Sequence, residues 1–414
     1  MDQIFNRTRG DKVIWALVII LALTSLLVVY SATGSLAYKM YKGNTEVYLF
    51  KQFAFIVGGL AIIYFAHRVN YTIYSKVAKL LFLISIPLLA YTLFFGSEIN
   101  KGSRWIKLPV INMTFQTSDL AKLALFMYMS RLLSKKQDMI KDFKTGFLPV
   151  ITPVVITCAL IAPANLSTAL LVGATSLMLL FIGRARMKHL LLVIGVALIP
   201  VTGLVIAAVV KHKSETTSIT GAKMENSRLT GRVSTWISRV ENFIYPDKED
   251  LSESNYQTNQ ANIAIAKGGW FGRGPGNSQA RNFLPHSYSD FIYAIIIEEY
   301  GLIGGALIVC VYLLFLFRSI RLFRKCPYAF GAFLALALSF TLMIQALANM
   351  AVNVSLFPVT GVTLPLVSMG GTSFLFTCFS IGIILSVARN VEQLEGKGEV
   401  HENAQKDELE PATA

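Results

Sequence analysis

The sequence predicts an all-α membrane protein with about ten transmembrane helices and one large extracytoplasmic loop between helices 7 and 8. Hydrophobic residues make up 54% of the 414 positions and charged residues only 15%, whereas soluble domains average about 25% charged residues. The hydrophobic residues form long runs, and the basic residues behind the net charge of +14 lie in short loops between these runs. Composition therefore excludes an ordinary soluble enzyme, a disordered chain and a fibrous repeat.

Ten apolar runs approach the length of about 20 residues that a helix needs to cross the hydrocarbon layer. The first run opens a series of spans and is too long for a signal peptide, so we interpret it as the first helix. Charged or polar residues interrupt the fourth run, at Asp119 and Lys122, and Pro153 interrupts the fifth. Together the runs predict one membrane domain over residues 13–388. In chain order they cover 13–32, 47–66, 72–96, 117–134, 147–163, 166–183, 189–210, 290–317, 328–352 and 366–388.

The distribution of Lys and Arg predicts the orientation of these helices. Basic residues concentrate in alternate loops, such as 131–144 and 318–325, and such loops face the cytoplasm. With ten spans, the N-terminal segment 1–12 and the tail 389–414 are both cytoplasmic, and the polar, acidic tail is expected to be disordered. The loop over about 211–289 then lies outside, and its length is typical of a functional loop.

A first group of candidate residues surrounds the start of the fourth span. Arg104 lies in a short outer loop, where it either extends to lipid headgroups beside Trp105 or contributes to an anion site. Asp119 and Lys122 are spaced i, i+3 on one helix face. They form either a structural ion pair or, through Lys122 and Arg104, part of that anion site.

A second group lies in the glycine-rich segment 268–278. Glycine permits positive φ and close backbone approach, so the N–H groups of Gly272-x-Gly274-x-Gly276 could converge on an anion. The spacing does not match the dinucleotide fingerprint, and a plain flexible loop is the alternative. Lys267, Arg273 and Arg281 nearby favour contact with a phosphate or diphosphate.

A third group lies where the outer loop re-enters the membrane. Asp290 there is either a helix cap or a general base at the boundary between water and lipid. Asn349 and Asn353, spaced i, i+4, share one helix face ahead of the Pro- and Gly-punctuated segment 357–373. Irregular backbone at this depth is tolerated where it is buried or lines a cavity, so the segment either lines a cavity or serves packing.

Five motifs occur in a characteristic order. SRWI and FQxSxxAK cover 103–106 and 115–122, and YQxxQAxIAIxxGGxxGxGxGNS covers 256–278; LPxxxSDFI covers 284–292 and NxxxNxxxxPVTGxxLPxxSxGGTS covers 349–373. Over about residues 10–390 the chain resembles the SEDS family, the FtsW/RodA peptidoglycan polymerases. The opening GDKVIWALVIILALTSLLVVYSAT and the following SLAYK are most similar to the FtsW branch.

The resemblance implies an enzyme of the bacterial cytoplasmic membrane that polymerises lipid II at the outer face. The family forms β-1,4-linked glycan strands with release of undecaprenyl diphosphate, and the FtsW branch acts at the division septum. The implied partners are lipid II, a class B penicillin-binding protein, other division proteins and membrane lipids, with no nucleic acid. The alternatives are a lipid II flippase or transporter, a division scaffold, and a RodA-like elongation polymerase.

The resemblance also implies roles for individual residues. The essential acid of the DFI motif falls on Asp290, and two cations implicated in function fall on Arg104 and Lys122. We assign further substrate contacts to polar residues of the same motifs. No dense carboxylate cluster and no Cys/His spacing indicates a metal site, so no cofactor is assigned, and a divalent cation, Mg²⁺ or Mn²⁺, stays open. The further substrate contacts are Gln116, Lys267, Gln260, Asn277, Ser278, Asn353 and Ser368.

Three departures from the family pattern stand out. His286 and Ser289 replace a usual Glu and Thr of the PExxTDF motif, and Asn165 replaces the acid of PDxGT. In the FQPSE segment Thr117 replaces the proline and Asp119 shortens the acid. None of these changes touches Asp290, so the expectation of activity stands without roles for the replaced acids.

Overall fold

A computed structural model of the chain describes residues 10–34, 36, 38, 45–99, 102–107, 114–217, 228–245, 253–285 and 287–409. Long helices account for most of them, and the one sheet among these residues has three short antiparallel strands. The elements in chain order are α1 Lys12–Ala32, α2 Glu46–Arg68, α3 Tyr71–Phe95, β1 Ser97–Ile99, β2 Gly102–Lys107, β3 Thr114–Gln116, α4 Thr117–Lys135, α5 Leu148–Ile161, α6 Leu166–Ile182, α7 Met187–Thr217, α8 Arg228–Ile244, α9 Glu253–Gly268, α10 Ile292–Lys325, α11 Ala329–Asn353 and α12 Thr372–Leu409.

The predicted all-α membrane fold is confirmed. In the part of the chain that the structure describes, eight helical segments are long and apolar enough to cross a membrane, and α6 is a shorter apolar helix. Helix α4 coincides with the fourth predicted span, but its four charged residues keep its mean hydropathy low. The number ten therefore stays a prediction. The eight segments are α1, α2, α3, Phe143–Ile161, the part of α7 up to Val210, α10, α11 and the part of α12 up to Glu395.

Several boundaries differ from the predicted ones; α10, for example, continues to Lys325 instead of 317. The last span begins at Thr372 instead of 366, because Leu364 N–H donates to Ser368 Oγ at 2.8 Å in a tight turn ahead of the helix. Helix α12 then continues to Leu409 and includes most of the tail that the sequence predicts to be disordered. Glu, Gln and Lys, which are frequent there, have high helix propensity. Residues 1–9 and 410–414 lie outside the described residues.

The predicted outer loop 211–289 contains considerable helical structure. Helix α7 extends to Thr217, and α8 and α9 follow within the loop. Helix α9 packs closely on α10, since Ala261 and Ala264 are fully buried and small side chains allow a short distance between helices. The segment that joins α9 to Asp290 is thereby fixed to the membrane helix that follows it.

The segment around Arg104 forms a sheet that the sequence did not predict. Trp105 of β2 pairs with Ser97 of β1 on one side and with Gln116 of β3 on the other. Strands of three and six residues are too short to give a periodic sequence signal. Thr372 Oγ1 donates to Thr114 O at 2.8 Å, which joins the sheet to the start of α12.

Helices α7 and α11 mark the two extremes of packing. In α11, 83% of the span is buried by protein, whereas the figure for α7 is 6%. Helix α11 therefore lies at the centre of the bundle, and α7 is a peripheral helix with most of its residues not buried by protein. At the end of the bundle opposite the sheet, Asp11 caps α1 and binds Arg318 Nη2 at 2.7 Å.

Candidate active site

The backbone around Asp290 is held by three consecutive carbonyl groups. Met369 N–H donates to Tyr288 O at 3.0 Å, and Ser368 Oγ donates to Ser289 O at 2.6 Å. The carbonyl of Asp290 accepts from Asn349 Nδ2 at 2.8 Å and from Asn353 Nδ2 at 3.0 Å. The main chain at Asp290 is thus fixed by α11 and by the segment between α11 and α12.

Asn353 also fixes the start of α10. Its Oδ1 accepts from Ala294 N–H at 2.9 Å, one of the first-turn N–H groups that a helix cannot satisfy internally. The N-cap position is Phe291, whose side chain makes no capping bond. Two buried side chains assigned to substrate by the sequence, Asn353 and Ser368, therefore bind the backbone that carries Asp290.

Gly361 and Tyr288 form part of the surroundings of the Asp290 carboxylate, which is half-buried. A Cβ atom at Gly361 would lie 3.5 Å from Asp290 Oδ2, and Gly361 has φ +66°. Burial, and secondly the charge of Asp290, raises the pKa of Tyr288. The Asp290 carboxylate therefore lies close to the backbone at Gly361, where no side chain intervenes, and near the phenol of Tyr288, which stays protonated.

A polar stripe on α11 leads from Asp290 into the bundle. Gln345, Asn349 and Asn353 are spaced i, i+4, i+8, which covers about 12 Å along one helix face. Gln345 Nε2 donates to Thr363 O at 3.0 Å, and Asn349 Nδ2 also donates to Val362 O at 2.7 Å. The stripe holds the irregular segment beside Asp290 along its length.

Gln345 also lines a partly open cavity between α4, α11 and α12. Asp119 and Lys122 line the same cavity from α4, and hydroxyl groups of α11 and α12 complete the polar part of the wall. Lys122 Nζ lies 2.7 Å from Asp119 Oδ1, so the two residues form the ion pair that their spacing predicts. Asp119 is only 4% exposed, and its Oδ2 is buried without a hydrogen-bond partner. The cavity can therefore offer both an ammonium and a carboxylate to a ligand.

Arg104 and Gln116 lie on the sheet ahead of α4. Arg104 precedes Trp105 on β2, and Trp105 pairs with Gln116, the residue before α4. Gln116 Nε2 donates to Ser118 Oγ at 2.9 Å. The side chain of Arg104 lies outside the described part of the structure. The sheet nevertheless brings its backbone to the end of α4 that carries Lys122.

The glycine-rich loop packs against a break in α10. Gly301 has φ 73° and ψ −176°, which interrupts the helix and leaves the carbonyls of Glu298 and Glu299 without their usual helical partners. The N–H groups of Arg273 and Gly274 donate to these carbonyls at 2.9 and 3.0 Å. These two amides are thus engaged with α10 and are not directed at an anion.

The side-chain carboxylates of Glu298 and Glu299 also bind the end of the glycine-rich loop. Glu298 is fully buried and accepts from Gln279 N–H at 3.0 Å, Ala280 N–H at 3.2 Å and the hydroxyl of Ser278. Glu299 accepts from Ser278 N–H at 3.4 Å and from the hydroxyl of Ser31 on α1. This network joins the loop, α10 and α1.

The remaining residues assigned to substrate lie in and around this loop. Lys267 is exposed, with Nζ 3.1 Å from Gln279 Oε1, and the exposed Asn277 donates to Arg273 O at 3.0 Å. Gln260 is half-buried on α9, and Ser278 is buried against Glu298. Lys267 and Asn277 are the two that solvent reaches most readily.

Two further sequence expectations concern acids and metals. Asn165, at the position where the family pattern has an acid, caps α6 by accepting from Thr168 N–H at 3.3 Å. His286 lies outside the described residues. Across the described ranges, no group of three or more His, Cys, Asp or Glu side chains could hold a metal ion. We therefore derive no chemical step through a divalent cation.

The structure sorts the predicted residues into three groups. Asp290, Asn353 and Ser368 lie together, Gln116 and Lys122 lie at the start of α4, and the residues from 260 to 278 surround the glycine-rich loop. Sequence reasoning missed Gln345, although its i−4 spacing from Asn349 continues the polar stripe that the two asparagines indicate.

Comparison with known proteins gives a consistent result. A family model for FtsW, RodA and SpoVE, described as cell cycle protein, matches residues 11–393. A relative from Geobacter sp. (strain M18), named probable peptidoglycan glycosyltransferase FtsW, is 31% identical over 388 residues, covering 92% of this chain and 98% of that protein. Stage V sporulation protein E of Bacillus subtilis (strain 168) is 31% identical over 389 residues, with coverage of 93% and 98%.

Two solved structures share the fold. One, described as structural coordination of polymerization and crosslinking by a peptidoglycan synthase complex, aligns with a TM-score of 0.69 at 22% identity and covers 93% of this chain and 99% of that chain. The crystal structure of the Thermus thermophilus rod shape determining protein RodA aligns with a TM-score of 0.61 at 22% identity, with coverage of 92% and 97%. The helical arrangement is therefore shared along nearly the whole chain.

Proposed function

Because the chain belongs to the FtsW/RodA/SpoVE family, we propose that it is a peptidoglycan glycosyltransferase that polymerises lipid II at the outer face of the cytoplasmic membrane. The product is a β-1,4-linked glycan strand, and undecaprenyl diphosphate is released. Relatives named FtsW support a role in septal wall synthesis during cell division. The observation that carries the proposal is the fixed backbone of Asp290, which the polar stripe on α11 connects to the cavity between α4, α11 and α12.

Asp290 acts as the general base in this proposal. Its carboxylate removes the proton from the 4-hydroxyl of the acceptor sugar, and that oxygen attacks the anomeric carbon of the growing strand with inversion. A general base must hold its position within hydrogen-bond reach of the proton it removes. The amides of Asn349 and Asn353 on the main-chain carbonyl of Asp290 supply that rigidity.

Cationic residues stabilise the leaving group. Negative charge grows on the diphosphate as the glycosidic bond forms, and fixed positive groups aimed at developing charge lower the barrier. Lys122 lines the cavity, Arg104 lies on the adjoining sheet, and Lys267 lies in the last turn of α9, just before the glycine-rich loop. These three residues are the proposed contacts for the diphosphate.

A reconstitution assay tests the proposed activity. The full chain, purified with its class B penicillin-binding partner, is incubated with labelled lipid II, and the products are resolved by length. Glycan chains that form and lengthen with time support the proposal. Transfer of lipid II across a vesicle membrane without any polymer would instead support a flippase.

The proposed partner is a class B penicillin-binding protein that supplies transpeptidation. One structural neighbour belongs to a peptidoglycan synthase complex in which polymerization is coordinated with crosslinking. A polymerase needs a transpeptidase close to its product, because uncrosslinked strands do not form a wall. Other division proteins are the further partners expected at the septum.

Lys122 and Asp119 offer a test that separates ligand binding from structure. Removing one partner of a buried ion pair costs about 3–5 kcal/mol, so Lys122→Met alone should lower both thermal stability and polymerisation. The double variant Asp119→Asn/Lys122→Met removes both charges and should recover most of the stability, measured as melting temperature. If Lys122 binds the diphosphate, polymerisation stays low in the double variant; recovery of both quantities would show a purely structural pair.

The predicted orientation of the chain in the membrane can be tested by cysteine labelling. The distribution of Lys and Arg puts both termini and residues 135–145 in the cytoplasm and residues 211–285 outside. In a variant without native cysteines, Gln279→Cys should react with a membrane-impermeant maleimide on intact cells. Lys141→Cys, which replaces another exposed residue, should react only after lysis. Labelling of position 141 on intact cells would contradict the ten-span topology.

A further inference from the structure

Helix α8 has a pronounced separation of apolar and polar residues. Its apolar residues recur at spacings of three and four, which places them along one face of the helix. The intervening positions carry Gly, Ser, Thr, Asn, one Glu and three Arg. This pattern is typical of a helix that lies at the surface of a membrane. The apolar positions are Leu229, Val233, Trp236, Ile237, Val240, Phe243 and Ile244.

The C-terminal end of α8 is fixed at the end of the α7 span. The apolar run of α7 ends at Val210, because the basic residues Lys211, His212 and Lys213 follow in the sequence. Two residues later, the ring of His212 stacks on Tyr245 with centroids 4.0 Å apart, and its Nδ1 lies 3.5 Å from Glu241 Oε1. These contacts place the last turn of α8 at the boundary between the hydrocarbon layer and water.

The rest of the chain as described covers the apolar face of α8 only in part: Trp236, Ile237 and Val240 are half-buried, and three other apolar residues are exposed. Val233 is 43% exposed, Phe243 44% and Ile244 39%. Near the end of the α7 span, Ile206 is 63% exposed and Val210 is 57% exposed. Because α7 is a spanning helix, these exposed apolar side chains face lipid. The apolar face of α8 thus begins where the lipid-facing surface of α7 ends.

We propose that α8 inserts its apolar face into the outer leaflet and anchors the extracytoplasmic loop to the membrane surface. The occupant of this face is lipid: acyl chains contact the apolar residues, and headgroups contact the polar positions. Continuity with α7 favours lipid over a protein partner, because the last turn of α8 already lies at the membrane boundary. The arginines suit phosphate groups of lipids, which lie at that same level.

The anchor also gives α7 a function beyond crossing the membrane. With so little of its surface packed on protein, α7 is held mainly through its connections to α6 and α8. An inserted α8 would restrict α7 and keep α9, which packs on α10, at a constant height above the membrane. The loop that leads to Asp290 would therefore be supported from both sides.

Fluorescence quenching in vesicles tests this proposal with matched neighbours. In the full chain without native cysteines, single cysteines replace Val233 and Ile237 on the apolar face and Ser234 and Ser238 beside them. Consecutive residues point about 100° apart on a helix. The cysteines carry a bimane label, and the protein is reconstituted into phosphatidylcholine with brominated chains. Labels at 233 and 237 should lose fluorescence to the brominated lipid, and labels at 234 and 238 should lose it to aqueous iodide.

Each other outcome overturns the proposal. Quenching by iodide at all four positions would show that α8 lies in water. Protection from both quenchers at 233 and 237 would show that protein covers the face. A measurement that needs no cysteine removal compares the wild type with Trp236→Phe: the tryptophan signal lost in the variant should be the part that brominated lipid quenches. Equal quenching of the two proteins would contradict insertion.

Discussion

Asp290→Asn is expected to reduce polymerisation of lipid II by at least about 10²-fold, within the range of about 10²–10⁴ that general-base catalysis contributes. Asparagine has nearly the shape of aspartate but cannot accept the proton. The fold should be unaffected, because Asn349 and Asn353 bind the main-chain carbonyl of residue 290, which the substitution retains. The measurement is the rate of glycan-chain formation from labelled lipid II at equal amounts of inserted protein.

Two further variants make this result specific. Asp290→Glu keeps the base but moves it by one methylene group, and misplacement by about an ångström can cost about 10²-fold. Asp142→Asn applies the same chemical change to an exposed aspartate that caps a turn through Thr145, and it should leave the rate unchanged. If Asp290→Asn polymerises at a near-normal rate while the partner still binds, Asp290 is not the base.

The starts of the membrane helices, except that of the last span, were predictable to within a few residues. The thickness of the hydrocarbon layer fixes the length of an apolar run, so α1, α3 and α11 start within one residue of the predicted spans. The three strands before α4 were not predictable, because backbone pairing of such short segments depends on neighbours that are distant in sequence. Helix α9 was missed because its segment has the polar composition of a loop, whereas α8 was missed although the spacing of its apolar residues indicates an amphipathic helix.

The sequence predicts which residues belong to the candidate site better than it predicts the contacts that those residues make. The motif identifies Asp290, and the i, i+4 spacing of Asn349 and Asn353 predicts that they share a face. That they bind the carbonyl of residue 290 depends on how α11 packs, which the sequence does not specify. The glycine-rich loop shows the same limit: its conformational freedom suggested an anion site, but two of its amides bind carbonyls exposed by the break at Gly301.

Gly272→Ala, in the glycine-rich loop, is expected to destabilise the protein strongly, and more than Gly276→Ala in the same loop. A Cβ atom at Gly272 would lie 2.2 Å from Glu299 O and 2.5 Å from Gly301 N, and φ is +78°. Left-handed backbone costs about 1–2 kcal/mol for an L-residue, and overpacking adds about 1–3 kcal/mol. The obstacle is backbone, so no side chain can move aside to relieve it.

Gly276→Ala provides the matched control. Gly276 has the same φ of +78°, but nothing lies within 4 Å of a Cβ atom there, so this variant reports the backbone strain without the contact. Melting temperatures are followed by the reaction of a thiol-sensitive dye with the buried Cys378 in a background that lacks the other three cysteines. They should fall further for Gly272→Ala than for Gly276→Ala. Polymerisation should fall in parallel, because displacing the loop from α10 disturbs the segment that carries Asp290. Equal shifts for the two variants would mean that the loop is not packed against the break in α10, and the structural basis of the site would need revision.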